Sequence, residues 1–218
     1  MTRQLLIAIR ITIVMLIIVS GIYPLVVWSL SQGLFPRQAN GSLVRNARGQ
    51  VIGSELLAQG FTRPEYFHPR PSAAGGGYDP TQSGGTNLGP TSDKLINGVH
   101  KLPQKNGQPD ASDFDGVKDL AGAYRKENKL PANALVPVDA VTRSGSGLDP
   151  EISVANADLQ AARVAAARGV PVSVVTGLVR QNTRGRALGF LGEPGVNVLM
   201  LNVALDKSAP MPADTAHR

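Results

Sequence analysis

Cysteine is absent from all 218 residues, which excludes disulfides, thiolate metal centres and a cysteine nucleophile. Histidine is scarce, with only His68, His100 and His217, and neither an H-E-x-x-H zinc pattern nor a G-x-S-x-G nucleophile turn occurs. There is no G-x-x-x-x-G-K-[ST] phosphate cradle, and Gly145-Ser146-Gly147 lacks the third glycine of a dinucleotide fingerprint. Asp113-Phe114-Asp115-Gly116 has the flavour of a calcium loop, but the first ligand position falls on Ala111 and the bidentate twelfth on Gly122. No metal site is expected. Aromatic residues make up 5% of the chain and are scattered, so the net charge of +6 meets no base-stacking platform. The positive balance reads as solvated surface, and no nucleic-acid partner is expected.

Two carboxylates close in sequence, Asp149 and Glu151, leave one enzymatic alternative: a membrane-anchored extracytoplasmic hydrolase using them as acid and base. Asp149 precedes Pro150 just ahead of a helical pattern, so a turn or cap role fits it better.

What the chain does have is a long apolar run. Positions 11–30 are twenty uncharged residues, which at about 1.5 Å per residue match a hydrocarbon core of roughly 30 Å. The run exceeds the roughly 7 to 15 residues of a signal-peptide core, so residues 1–34 read as an uncleaved anchor. Its short basic lead, Arg3 and Arg10, places the N-terminus in the cytoplasm and the rest outside, as a single-pass chain. Tyr23 and Pro24 mark a kinked stretch suited to packing against other helices.

Residues 35–205 read as one extracytoplasmic α+β domain and 206–218 as a disordered tail. Positions 42–44 and 50–52 flank a turn-rich tetrapeptide and predict a hairpin. Six glycines and four prolines between positions 69 and 90 exclude regular structure there and predict an ordered loop pinned by Tyr66, Phe67, Tyr78 and Leu88. The polar stretch 101–116 reads as flexible. Helical periodicity appears at 117–128, and again from a Ser153 cap to Arg168 before Gly169 and Pro171, with a third short helix from Ser173. The near-continuous apolar run 196–205 predicts a buried strand. Gln160, Arg163 and Arg168 share one helix face that offers amide and guanidinium hydrogen bonds, either to a partner or to solvent.

Several motifs together resemble one family. They are Gly21-Ile22-Tyr23-Pro24-Leu25, Phe35-Pro36-Arg37-Gln38-Ala39-Asn40-Gly41-Ser42-Leu43, Gly53-Ser54 with Gln59 and Phe61, and Tyr66-Phe67-His68-Pro69-Arg70-Pro71-Ser72-Ala73. Further along stand Ser83-Gly84-Gly85-Thr86-Asn87-Leu88, Ser144-Gly145-Ser146-Gly147-Leu148-Asp149-Pro150, Gln160 with Arg163-Val164-Ala165, and Val196-Asn197-Val198-Leu199 with Leu201-Asn202. In this order they resemble the C subunit of the bacterial Kdp-type potassium-transporting P-type ATPase over nearly the whole chain. Arg143 and the apparent insertion at 101–116 depart from the family pattern.

The resemblance implies a non-catalytic subunit of a four-chain pump. Its expected partners are a potassium-conducting subunit, an ATP-hydrolysing P-type subunit and a small single-helix subunit. The D-K-T-G phosphorylation motif of P-type pumps is missing, so this chain carries no aspartyl-phosphate. The family is described as a catalytic chaperone that raises the ATP affinity of the hydrolysing subunit, and the glutamine tied to nucleotide would be Gln160. With the domain outside, no cofactor is held firmly and any effect on ATP is indirect. Gln160 and Arg163 then read as nucleotide or partner contacts. Tyr66, Phe67, Arg70, Ser72, Ser83, Gly84, Gly85 and Asn87 read as candidates for a subunit interface.

Overall fold

The computed structural model describes residues 1–46, 48–101 and 113–210. Most of the polar stretch 101–116, and His217 with the end of the expected tail, lie outside the described residues. The chain divides into two compact units, Met1–Ile52 and Gly53–Arg218. The division falls between Ile52 and Gly53, inside the second strand of the hairpin.

In the first unit, α1 (Thr2–Ile17), a π-helical turn (Ile18–Ile22) and α2 (Tyr23–Leu34) form one helical run. It is 33 residues long with a mean hydropathy of 2.7 over its most apolar window, long and apolar enough to cross a membrane. The π turn has a local cause. Pro24 has no N–H and its ring crowds the carbonyl four residues back, so the helix widens by one residue just before it. A short α3 (Pro36–Ala39) leads into strands β1 (Leu43–Arg45) and β2 (Val51–Ser54), which pair as the expected hairpin. Asn46 closes the turn, its main chain and its Oδ1 both bonding the main chain of Gln50 at 3.0 Å.

The second unit is α+β. Its small helices are α4 (Asp93–Asn97), α5 (Val117–Glu127) and α6 (Val138–Val141). Strand β3 (Glu151–Ser153) runs directly into α7 (Val154–Arg168), followed by α8 (Val172–Gln181), β4 (Thr183–Arg184), β5 (Gly195–Asn197) and α9 (Val198–Ser208). The sheet order is β3-β5-β4, antiparallel throughout, with Ile152 opposite Val196 and Thr183 also opposite Val196.

Helix α7 starts and stops as the sequence predicts. Ser153 Oγ accepts from the N–H of Asn156 at 3.1 Å, and Gly169 ends the helix at φ +66, a conformation glycine adopts without a Cβ penalty. Ala157, Ala161 and Ala165, spaced by four, form a fully buried stripe. Around it gather Phe67, Ile152, Val164, Val175, Val179, Val196, Leu201 and Leu205. Burying a phenylalanine such as Phe67 stabilises by about 2–3 kcal/mol. A smaller cluster joins Tyr124, Ala140 and Val141.

The expected strand at 196–205 is corrected. Strand β5 ends at Asn197, whose Oδ1 accepts from the N–H of Met200 at 3.0 Å and so caps α9. The helix continues three residues past the expected boundary, to Ser208. A continuous apolar run does not separate a buried strand from a buried helix, and the asparagine cap decided the matter.

Candidate functional site

The inward face of α7 carries polar side chains. Asn156, Gln160, Arg163 and Arg168 are all buried there, so the solvated-face alternative is excluded. A buried polar group without a partner costs about 1–3 kcal/mol, and each of these four finds partners.

The main partner is the segment at residues 63–68. Gln160 donates to the His68 carbonyl at 3.0 Å and accepts from the His68 N–H at 2.8 Å. Asn202 of α9 treats the preceding residue in the same way, donating to the Phe67 carbonyl at 3.0 Å and accepting from its N–H at 2.9 Å. Each amide reproduces the two-point pairing that a neighbouring strand would supply. Arg163 Nη1 donates to the carbonyls of Pro64 (2.6 Å) and Tyr66 (3.0 Å), and Arg168 Nε donates to Glu65 (2.8 Å). The five consecutive carbonyls from Pro64 to His68 are thus all held by side chains of α7 and α9.

A second ring of contacts fixes the holders. Arg163 Nη2 donates to Gln160 Oε1 at 2.7 Å, its Nε donates to Asn128 Oδ1 at 3.0 Å, and Glu127 lies 3.7 Å away. Burial pulls the Arg163 guanidinium below its usual value, opposed by Glu127. His68 places Nδ1 2.6 Å from Glu127 and Nε2 3.0 Å from the Arg63 carbonyl. Both ring nitrogens of His68 thus face an oxygen. The hydrogen bond from His68 holds the Glu127 carboxyl below its ordinary value of 4.5 against the opposing effect of burial. Burial pushes the Tyr124 hydroxyl up; it donates to Asn156 Oδ1 at 2.8 Å.

The glycine-rich loop grips a turn of its own chain. Ser72 Oγ donates to the Gly147 carbonyl at 2.6 Å, and Gly84 N–H and Ser83 Oγ both donate to the Ser146 carbonyl, at 2.9 and 3.0 Å. A Cβ on Gly85 would meet the Gly145 carbonyl oxygen at 2.9 Å, and one on Gly147, at φ +70, would meet the Gly84 carbonyl oxygen at 2.6 Å. Tyr78 donates to the Arg70 carbonyl at 2.8 Å, and burial pushes its hydroxyl up to about 12. Asn87 is exposed, at φ +52.

The other residues singled out in the sequence fall as follows. Phe67 is core, and Tyr66 lies between Arg63 and Arg168, whose guanidinium carbons are 5.0 and 4.9 Å from its ring centre. Tyr23 and Pro24 begin α2. Asp149 and Glu151 do not face each other as acid and base. Asp149 Oδ2 binds Arg70 at 2.8 Å and its Oδ1 accepts the Glu151 N–H at 3.1 Å, while Glu151 binds Arg184 at 2.9 Å. His100, Asp115 and Asp119 bring three potential metal-ligand atoms within 4.8 Å of one another near the surface. Asp119 Oδ2 already accepts from Gly116 N–H at 2.8 Å and lies 3.0 Å from His100.

Asn202 and Asn128 were missed as parts of the hub. Their signal is faint: an asparagine inside an apolar run, and one just past a helix end.

Residues 5–207 match the family model of the potassium-transporting ATPase c chain, KdpC. The chain belongs to the KdpC family. It is 51% identical over 207 residues to the potassium-transporting ATPase KdpC subunit of Mycobacterium tuberculosis, an alignment covering 95% of this chain and all of that protein. The KdpC subunit of Caulobacter vibrioides is 50% identical over 188 residues, covering 86% of this chain and 85% of its own length. As a KdpC-family chain it is an accessory subunit of the potassium-transporting ATPase rather than the catalytic one. The hydrolase alternative falls with that, in keeping with two carboxylates each tied to an arginine.

Proposed function

We propose that this chain is the tethered helper of a high-affinity potassium uptake pump. Its anchor crosses the inner membrane with the N-terminus in the cytoplasm, and its second unit works outside, docked on the potassium-conducting subunit. The ATP-hydrolysing subunit and a small single-helix subunit complete the assembly, and Tyr23 and Pro24 pack against membrane helices of these partners. The chain stabilises the complex and raises the ATP affinity of the hydrolysing subunit as a catalytic chaperone, without holding ATP itself.

The observation that carries the indirect mechanism is the burial of Gln160 and Arg163, whose hydrogen bonds go to residues 64–68, Asn128 and Asn156. They act as positioning residues for a rigid segment that includes Tyr66 and Phe67. The loop with Arg70, Ser72, Ser83, Gly84, Gly85 and Asn87 forms a firm surface beside it. An influence on nucleotide then travels as coupling free energy through packed subunits. Purification of the tagged chain from potassium-starved membranes, with protease treatment of intact spheroplasts, tests the reading. The pump subunits are expected to accompany it and the domain is expected to be cut. Solitary recovery, or protection of the domain, would overturn it.

A further inference from the structure

The positive charge of the chain is not spread evenly. Every one of its sixteen Asp and Glu residues lies at position 55 or later, where seventeen Lys and Arg all but balance them. Positions 1–54 hold five arginines, no lysine and no acidic residue, and so carry five of the six formal charges. Two of these arginines precede the apolar run, and Arg37, Arg45 and Arg48 follow it.

The first unit keeps the second group beside the membrane. The helical run Thr2–Leu34 has 33 residues, which at about 1.5 Å each outlast a hydrocarbon core of roughly 30 Å. With positions 11–30 in that core, Leu34 emerges about 6 Å beyond its edge, among the headgroups. There the chain turns instead of leaving. Phe35 breaks the helix at φ −136 and ψ 52, and Asn40 Nδ2 comes back to donate to Gln32 Oε1 at 3.0 Å and to the Pro36 carbonyl at 2.7 Å. The Ser42 N–H then donates to the Arg37 carbonyl at 2.9 Å, which roots the β1–β2 hairpin on this corner. Asn46, at its tip, follows Ser42 by four residues and so lies within about 13 Å of it.

The hairpin has a face suited to such a layer. Val44 is buried, while Leu43 and Arg45, two apart and so on the opposite face, are exposed. Arg45 Nη1 donates to the Gly49 carbonyl at 2.9 Å, one of the five donors of its guanidinium, and Arg48 is exposed in the same turn. At the corner Leu34 is 67% exposed and Phe35 57%.

We propose that this hairpin is a headgroup clamp: Arg45 and Arg48 bind phosphates of anionic lipids in the leaflet from which α2 emerges, while Phe35 and Leu43 enter the acyl boundary beneath them. The covalent link to a crossing helix sets a lipid surface against this face. The charges match, because a stretch of arginines without a carboxylate meets a layer of phosphates, and a guanidinium takes a phosphate through two parallel N–H groups. Apolar and arginine side chains set side by side are what segments lying in the interface present. The inference requires the anchor to cross a bilayer and involves no pump subunit.

The test uses the full chain in nanodiscs of phosphatidylcholine, with or without phosphatidylglycerol. Because the chain has no cysteine, Val51→Cys supplies a single spin-label position, at the exposed start of β2. In anionic discs the label is expected to be shielded from a water-soluble relaxant several-fold more than in phosphatidylcholine discs, and high salt should cancel the difference. Arg45→Gln with Arg48→Gln should abolish it, and the ratio of phosphatidylglycerol to phosphatidylcholine retained on extraction should fall roughly tenfold or more. Arg48→Gln alone, which leaves the bond from Arg45 to Gly49 in place, should remove part of the effect, and lysine at both positions should keep most of it. Equal shielding in both discs, or shielding that appears only when other pump subunits are present, would overturn the clamp and leave the proposed function standing. Failure of the unaltered chain to insert into either disc would overturn the clamp and the anchor together.

Discussion

Gln160 of α7 and His68, 92 positions earlier, are joined through both ends of one amide, at 2.8 and 3.0 Å. A side chain here does the work of a strand, and the residue that the family resemblance ties to ATP is spent on the protein's own backbone.

Gln160→Ala leaves the N–H and C=O of His68, Asn156 Oδ1 and Arg163 Nη2 each short of a partner. A loss of about 2–4 kcal/mol in stability is expected, read from urea unfolding of the full chain in detergent. In the assembled pump, the KM for ATP should rise only together with that loss. A variant that restores the stability while keeping the substitution should restore the KM.

Glu127 makes the hub sensitive to acid. Its folded carboxyl lies below the ordinary 4.5, chiefly through His68, so its contribution is present above that value and disappears as pH falls through the folded one. Glu127→Gln should therefore lower the melting temperature at pH 7 and converge with the native chain as pH falls below the ordinary carboxylate value. A constant difference across that window would contradict the assignment.

The two glycines of the pair at 84 and 85 should behave differently. Gly84 has nothing nearer than 4.0 Å to an added Cβ, whereas Gly85 and Gly147 face main chain at 2.9 and 2.6 Å. Gly84→Ala is expected to be nearly neutral. Gly85→Ala and Gly147→Ala should open the 70–88 loop to limited proteolysis, Gly147→Ala the more so because its φ is +70.

Pro24→Ala removes the cause of the π turn at Ile18–Ile22. Membrane insertion, checked by carbonate extraction, should be unchanged. Recovery of the intact complex should fall, because a straighter helix presents Tyr23 to a different neighbour.

Local signals were readable along the chain, and distant pairings were not. Ser153 and Gly169 bracketed α7 because caps act within a few residues, and Asn46 with Gly49 marked the hairpin for the same reason. The shared face of Gln160, Arg163 and Arg168 followed from helical spacing, but its destination, a segment about a hundred residues upstream, leaves no periodic trace. The many glycines at 69–90 did announce close approach, although the surface approached is the chain's own 144–147 turn. At 196–205 hydrophobicity alone favoured a strand, and one asparagine reversed it.

A segment whose carbonyls are gripped by fixed side chains has no ladder to slide along. Residues 64–68 therefore sit in one register or come away entirely, and a displacement imposed on α7 or α9 reaches them without slack. An irregular stretch fastened in this manner behaves as a rigid lever.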